Sequence, residues 1–500
     1  CVGSVAACTD SHGDPVRRRG KRCIGDRPWP NQGPARVCPA WGCGAAAVFS
    51  PLHAWRWTVV ARDSLVNRLE RPRQLALERL WSVLPAMRLV GGVVRDLLVE
   101  RPIADIDLAT PEPPEQVMDR LRAQGVHVVP TGLQHGTVTA VLDGVPYEIT
   151  TLRCDVETDG RHAVVRWTQD WQADALRRDF TINAMSVDQA GTLYDYFSGQ
   201  ADLEAGHVRF VGQPALRIKE DALRILRFFR FYGRYGRGQP DQQALQAIIS
   251  GVALLDVLSV ERIWMELRRI LVGPNVAVIL QLMDDTGVLA RILPEGHTLE
   301  RCVRLLGNGA PDSALLRLAG LSTHGAAVAR RLKLSRAEAG LLGAFCKPAP
   351  VPEVGMSAHA LRSLVAEEPH EVLEGRIWLR QAAEPRTAEE NAAFEQLRLR
   401  LRDIDVPVFP VAGRDVLAMG GQAGPEVGRI VGLVRQWWLE GGCHADAQPC
   451  RARIKQYLAA KTPYSLALPL TSNGERLART GYDVPATSPH TRSRQSPAPR

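Results

Sequence analysis

The chain has 500 residues, 45% of them hydrophobic, so it can bury several cores, and a prior of roughly 150 residues per domain gives about three domains. Lys and Arg number 62 against 54 Asp and Glu, a formal net charge of +8, which suits a polyanionic partner because cations neutralise phosphates and release counterions. Ten cysteines in this length exclude a disulfide scaffold; with no run of 18 apolar residues and no basic-then-apolar leader, neither a membrane span nor a secretory signal is expected, and the cytoplasm is the expected compartment.

Residues 1–55 are rich in Gly, Pro and Arg and show no period. They hold Cys1, Cys8, Cys23, Cys38 and Cys43, but no Cys-x-x-Cys pair and no zinc spacing, so a disordered extension reaching to about residue 70 is expected rather than a metal site. The pattern then becomes mixed α/β. It predicts a helix over 74–84, a short strand over 88–90 and an alternating strand over 103–109. A helix follows over 113–124, then strands over 126–129, 136–142 and 145–152, the last two joined at Asp143-Gly144. Residues 155–162 are polar with a glycine and read as a mobile loop. From 215 to 460 apolar residues recur at three and four, which predicts helices. The last 30 residues are polar and Pro-rich and read as disordered.

Three constellations carry chemistry. The first is Leu89-Val-Gly91-Gly92-Val-Val-Arg95-Asp96 followed by Asp105-Ile-Asp107. Two glycines after a strand let backbone approach a phosphate, amides at the following helix start can donate to it, and Arg95 is placed to reach a triphosphate. On a strand, Asp105 and Asp107 would share a face about 7 Å apart, where two carboxylates can hold Mg²⁺ ions bridging a triphosphate and an attacking hydroxyl. The second is Arg177-Arg178-Asp179-Phe180-Thr181-Ile182-Asn183-Ala184-Met185. Its arginines suit phosphates, and its carboxylate can accept from a ribose hydroxyl. The third is Arg217-Ile-Lys-Glu220-Asp221-Ala-Leu-Arg224-Ile-Leu-Arg227-Phe-Phe-Arg230. Read as one helix, it makes Asp221 and Arg224 neighbours, offering acceptors and donors to the edge of a base, with Glu220, Arg224 and Arg227 close to one face.

Smaller signals lie between. Glu148 sits on a strand beside the acidic pair; it is either a third acidic residue of the site or a surface partner of Arg153. Ser259-Val-Glu261-Arg262 reads as a helix cap with a salt bridge.

Together these stretches resemble the signature of the class II tRNA nucleotidyltransferase and bacterial poly(A) polymerase family, over residues 75–300 and again from Gly413 through Trp438. The resemblance implies an α+β polymerase-beta-like nucleotidyltransferase head, a mixed sheet with helices, followed by an all-α neck, body and tail. It places the head at 71–212, the neck with the base-recognition helix at 213–275, the RNA-binding body and tail at 276–465, and a disordered end at 466–500. It implies template-independent addition of nucleotides to an RNA 3′ end, CCA addition to tRNA from CTP and ATP before poly(A) addition, with a non-catalytic RNA-binding relative as the rival from another class. It implies Asp105, Asp107 and Glu148 as the catalytic acids, with Mg²⁺ on Asp105 and Asp107. Gly91, Gly92, Arg95, Arg177, Arg178, Asp179, Asp221, Arg224, Arg227 and Arg230 become the nucleotide-binding set. Asp195, Gly199 and Asp202 resemble the family's hinge motif, and 155–162 its flexible loop.

Overall fold

The structure, a computed structural model, describes residues 65–158, 163–322, 324–348 and 350–460, all within one compact unit, Asp63–Arg500. The N-terminal cysteines and both expected disordered ends beyond these bounds lie outside the described residues.

The first half builds a sheet. Helix α1 (Arg71–Val83) leads into β1 (Arg88–Val90), α2 (Gly92–Leu98), β2 (Asp107–Thr110) and α3 (Pro114–Ala123). Strands β3 (His127–Gly132), β4 (Thr137–Leu142) and β5 (Val145–Thr151) follow. A separate hairpin, β6 (Arg153–Thr158) and β7 (Ala163–Trp167), precedes α4 (Trp171–Leu176) and the short strands β8 (Ser186–Val187) and β9 (Leu193–Tyr194). The main sheet has seven strands in the order β3-β4-β5-β2-β1-β8-β9. Only β2 and β5 pair in parallel; the other neighbours are antiparallel. Asp143 and Gly144 turn β4 into β5 with φ of 50° and 81°, the left-handed pair that a two-residue hairpin of right-twisted strands requires.

The second half is helical: α5 (Gly199–Ala205), α6 (Pro214–Glu220), α7 (Leu223–Tyr235), α8 (Gln242–Gly251), α9 (Val260–Leu271) and α10 (Val276–Asp285), then eleven further helices from Val288–Ile292 to Ala447–Ala459 among the described residues. One apolar core joins sheet to helices. Leu89, Leu108, Ile149 and Val187, from one face of the sheet, cluster with Leu80 and Trp81 of α1 and Phe228 and Phe229 of α7. Phe180, fully buried, packs tilted against Phe210 and Phe231 with ring centroids 4.9 and 5.3 Å away, which pins the second motif against α7. Burial of such a ring contributes about 1.5–3 kcal/mol. The other face of the sheet carries only a small cluster of Val90, Ala109 and Leu152 against Trp171. Residues 361–401 and 411–454 form two further cores of their own.

Four expectations are corrected. The disordered extension expected to reach about residue 70 stops short of it: Leu65–Arg68 form a 3-10 turn, and Val66 and Leu69 are buried in the main core. The strand expected over 103–109 begins only at Asp107, because the Arg73 guanidinium takes the Ile103 carbonyl at 2.8 Å and the Ala104 carbonyl at 3.4 Å, so these groups do not join the ladder. The continuous helix expected from Arg217 breaks at Asp221, which is extended at φ −150° and ψ 103°. Its carboxylate accepts from the Leu223 amide at 3.1 Å, a local bond that competes with helix. Residues 155–158, expected in a loop, lie in β6, and the tip at 159–162 is outside the described residues.

Candidate active site

Asp107 opens β2 on the sparsely covered face. In the parallel pairing its register partner on β5 is Glu148. The β1–β2 register, Leu89 with Leu108, carried one residue further sets Val90 opposite Asp107, so the glycine pair begins beside the carboxylate. Gly91 has φ +70°, which an L side chain rarely adopts, and the Arg178 Nη1 lies 3.1 Å from where its Cβ would stand. Glycine here thus admits both the turn and the guanidinium. Asp105 precedes the strand but lines the same cleft as Asp107.

Among the described residues the side chains of Asp105, Asp107 and Glu148 make no hydrogen bond or ion pair, and all three residues are exposed. Loss of hydration at the cleft wall, and next the facing Glu148, push the Asp107 carboxyl above its ordinary range; Arg178 pulls it back and Asp105 adds to the rise. Glu148 thus stands beside Asp107 in the sheet register. Arg153, the alternative partner, begins the separate hairpin and donates to the His135 carbonyl at 2.6 Å.

The second motif is positioned by a residue the sequence reading passed over. Asp174, 3% exposed, accepts from Arg177 at 2.8 Å and Arg178 at 3.0 Å. Burial would raise its carboxyl, but Arg178 and then Arg177 overcome this and hold it low. The spacing of three and four along α4 was the available signal.

A buried chain then ties all three motifs together. The Tyr235 hydroxyl donates to Asp96 at 2.6 Å, and Arg95 donates to Asp96 at 2.9 Å and to Asn183 Oδ1 at 2.5 Å. Asn183 donates to Asp179 at 3.0 Å, and Arg227 closes on Asp179 at 2.6 Å. Arg95 is 7% exposed, lies over the Tyr235 ring at 4.4 Å and lines the cleft of Asp105 and Asp107, so it stands where this joint meets the cleft. Asp179, also 7% exposed, would be raised by burial, but Arg227, Asn183 and the Phe180 amide hold its carboxyl below the usual range. Asn183 and Tyr235 carry the joint without having been singled out. Asn183 sat inside the quoted motif; Tyr235 gave no local signal.

The base-reading pair is arranged differently from expectation. The side chains of Asp221 and Arg224 do not bond to each other; only the Arg224 amide donates to the Asp221 carbonyl, at 3.0 Å. Asp221 accepts both oxygens' worth of contact from Arg262, at 3.1 and 2.9 Å. Arg224 donates to Glu220 at 2.6 Å and to the Arg177 carbonyl at 2.7 Å. Glu220 also pairs with Arg217. Arg230 is tied to Glu266 at 2.6 Å. Ser259 makes no side-chain cap bond, and Glu261 pairs with Lys333; the stretch read as ordinary cap and salt bridge instead supplies Arg262 to the site. In the hinge-like motif Asp195 accepts from the Gly199 and Gln200 amides at 2.8 and 2.9 Å, and Asp202 accepts from Thr181 at 2.6 Å, which are structural bonds.

A glycine pair beside uncompensated carboxylates on a mixed sheet, followed by a helix of paired guanidiniums, defines a nucleotidyltransferase of the polymerase-beta-like fold. Residues 87–209 match the family model described as the poly A polymerase head domain, and 239–299 the probable RNA and SrmB-binding site of polymerase A. The chain is 37% identical to the mitochondrial CCA tRNA nucleotidyltransferase 1 of Mus musculus over 386 residues, 74% of this chain and 86% of the relative. It is 38% identical to its counterpart in Danio rerio over 422 residues, 81% and 93%. The crystal structure of the Bacillus stearothermophilus CCA-adding enzyme in complex with CTP superposes with a TM-score of 0.61 at 27% identity, covering 78% of this chain and 99% of that one. The chain belongs to the CCA tRNA nucleotidyltransferase family.

Proposed function

We propose that this chain completes the CCA end of tRNA, adding C and A from CTP and ATP without a template and releasing pyrophosphate. The observation that carries the chemistry is the exposed, mutually repelling set Asp105, Asp107 and Glu148 beside the Gly91 turn; the family membership carries the substrate. The RNA 3′ oxygen bonds to the α-phosphorus as the bond to the β-phosphate's bridging oxygen breaks, an in-line displacement.

Asp105 and Asp107, with Glu148 beside them, would hold Mg²⁺. Their all-oxygen donor set fits a hard cation. Among the described residues no three acidic, histidine or cysteine side chains gather tightly enough to hold an ion alone. Magnesium is commonly bound through one or two carboxylates together with substrate phosphates and water. When bound, the metal supplies charge that lowers the pKa of the 3′-hydroxyl and stabilises the leaving pyrophosphate. Arg178 contributes phosphate contact at the Gly91 turn. Arg177, Arg224 and Asp221 lie together where α4 meets the α6–α7 break, and the last two read the base. Asp179 and Arg95 act by holding that reading end to the head.

We divide the chain into head (71–212), neck (213–275) and body with tail (276–465); the separate cores at 361–401 and 411–454 support a distinct tail. The five described cysteines, Cys154, Cys302, Cys346, Cys443 and Cys450, are unpaired, which supports a reducing compartment, and we assign the cytoplasm. The two vertebrate relatives are named mitochondrial, and cell fractionation tests the assignment. Among the described residues no helix is long and apolar enough to cross a membrane.

The test incubates the protein with tRNA lacking its last three nucleotides, each NTP in turn, and Mg²⁺. Two C additions followed by one A are expected. The head-domain description names poly(A) polymerase, and extension by ATP alone into a long tail would favour that reading instead.

A further inference from the structure

The cleft that holds Asp105 and Asp107 continues to a second wall made by the last turns of α7 and α9, enclosing about 590 Å³. Three arginines stand on that wall: Arg230, Arg234 and Arg269. Glu266, 1% exposed, accepts from Arg230 at 2.6 Å and from Arg269 at 3.3 Å, so one carboxylate serves two guanidiniums. Arg234 is exposed and has no carboxylate partner among the described residues. Burial pushes the Arg230 pKa down; Glu266 opposes this, while Arg227 and Arg269 add to it, as in a cluster with surplus positive charge. Cations in a helix's last turn offset its terminal partial charge, and both Arg234 and Arg269 are so placed. That accounts for their position along each helix. It does not account for two helices bringing three guanidiniums, two of them held by one carboxylate, to a single cleft opposite carboxylates that repel phosphate.

We infer that Arg230, Arg234 and Arg269 bind a phosphate group of a substrate, holding it in the cleft against the repulsion of Asp105 and Asp107. The group is either the β,γ-diphosphate that leaves as pyrophosphate or the last phosphodiester of the RNA; both present the same oxygens to a guanidinium fork. Glu266 orients two of the forks in advance, so little side-chain freedom is lost on binding. The inference rests on the function proposed above.

The test uses the full chain with Arg234→Gln, Arg269→Gln and the double variant. Arg234 is exposed and the Arg269 side chain is 52% exposed, so the fold should persist, and melting checks that it does. The readouts are affinity for inorganic pyrophosphate by calorimetry, KM for CTP, and Kd for tRNA lacking CCA as a function of salt. The double variant should weaken one ligand about tenfold, with kcat changed less. Weaker pyrophosphate binding with higher KM for CTP, and RNA binding intact, assigns the wall to the diphosphate. Weaker RNA binding, with the salt slope reduced by about one per arginine lost, assigns it to the RNA backbone. Arg269→Lys should restore part of either loss, since the charge returns without the fork. All three constants within about twofold of the parent, in a folded and active double variant, overturn the inference. A parent that adds no nucleotide to any tRNA overturns the proposed function instead.

Discussion

The carboxylates at the start of β2 and those packed around α7 have the same chemistry and opposite circumstances. Asp105, Asp107 and Glu148 are exposed and lack a bonded cation among the described residues, and loss of hydration, then Glu148 and Asp105, push the Asp107 carboxyl up. Asp179, Asp221, Glu220 and Glu266 each hold at least one guanidinium, and Asp179 is held down. The pairing fixes guanidiniums and carboxylates in place around α7, whereas the unpaired set at β2 is where the proposed metal and triphosphate would bind. The comparison also bears on residues that look alike in the motifs. Arg178, held by Asp174, acts on Asp107, whereas Arg95 lines the cleft but is bonded to Asp96 and Asn183 of the joint.

The sharpest break of this comparison is at Asp107. Asp107→Ala, and likewise Asp105→Ala, should lower kcat/KM for C addition by about 10³-fold or more, the scale of losing a group that stabilises developing charge. Because the Asp107 carboxyl is raised, its ionised form costs the metal-free fold stability at neutral pH. Asp107→Asn should therefore melt slightly higher than the parent without Mg²⁺ while remaining inactive. Near-normal incorporation by any of these variants removes the site from β2.

The complementary break is in the joint. Arg227→Met leaves Asp179 buried without its cation and should cost about 3 kcal/mol, the low end for a broken buried pair because Arg227 keeps part of its side chain in solvent. The pH dependence should invert. In the parent the depressed Asp179 contributes stability above the ordinary carboxylate range, and this is lost as pH falls through that range toward the depressed value. In the variant burial dominates and the carboxyl rises, so stability falls as pH rises through its new value. The gap between the two proteins, read by urea unfolding from about pH 4 to about pH 7.5, should widen with pH. A constant gap would mean that Asp179 finds another cation.

What could be read from the residues alone follows the range of each interaction. The Gly91-Gly92 turn, the strand pattern of β3 to β5 and the Asp143-Gly144 hairpin are local, and the sequence shows them. The break at Asp221 is decided by a carboxylate bonding its own chain two residues on and by Arg262 some forty residues away, and period alone favours a continuous helix. The shortened β2 is decided by Arg73 from α1. Partner choice among arginines is the least legible part. A helix with Arg224, Arg227 and Arg230 in succession shows three cations of equal standing. Only the fold sends them to Glu220, Asp179 and Glu266.

A subtler contrast concerns base choice. An ionised Asp221 facing the position where cytosine has its amine would oppose an acceptor on uracil. Asp221→Ala and Arg224→Ala should each lose about 1–3 kcal/mol of discrimination between CTP and UTP, while losing less rate than Asp107→Ala. Since Arg262 orients Asp221, Arg262→Ala should shift the same ratio by a smaller amount. The measurement is kcat/KM for each of the four NTPs on tRNA ending at its discriminator base. Variants that lose rate with an unchanged order of preference would make the α6–α7 break a scaffold.

The smallest expected effect tests whether the joint does more than hold the fold. Tyr235→Phe removes one hydroxyl and leaves the ring over which Arg95 sits at 4.4 Å. Asp96 keeps its bond from Arg95, so no charge is stranded, and the loss should be about 1 kcal/mol of stability. Burial pushes the phenol's pKa up, so it remains a donor throughout the working range and the loss should not vary with pH. If the joint only stabilises, turnover well below the melting temperature should be untouched. If it sets the angle between the base-reading end of α7 and the Asp107 carboxylate, kcat should drop a few-fold with KM for CTP unchanged, because nucleotide still binds but sits less often in line with the RNA 3′ oxygen. A rise in KM with constant kcat would place Tyr235, which lines the cleft together with Asp96, Arg95, Asp105 and Asp107, in nucleotide binding rather than in alignment.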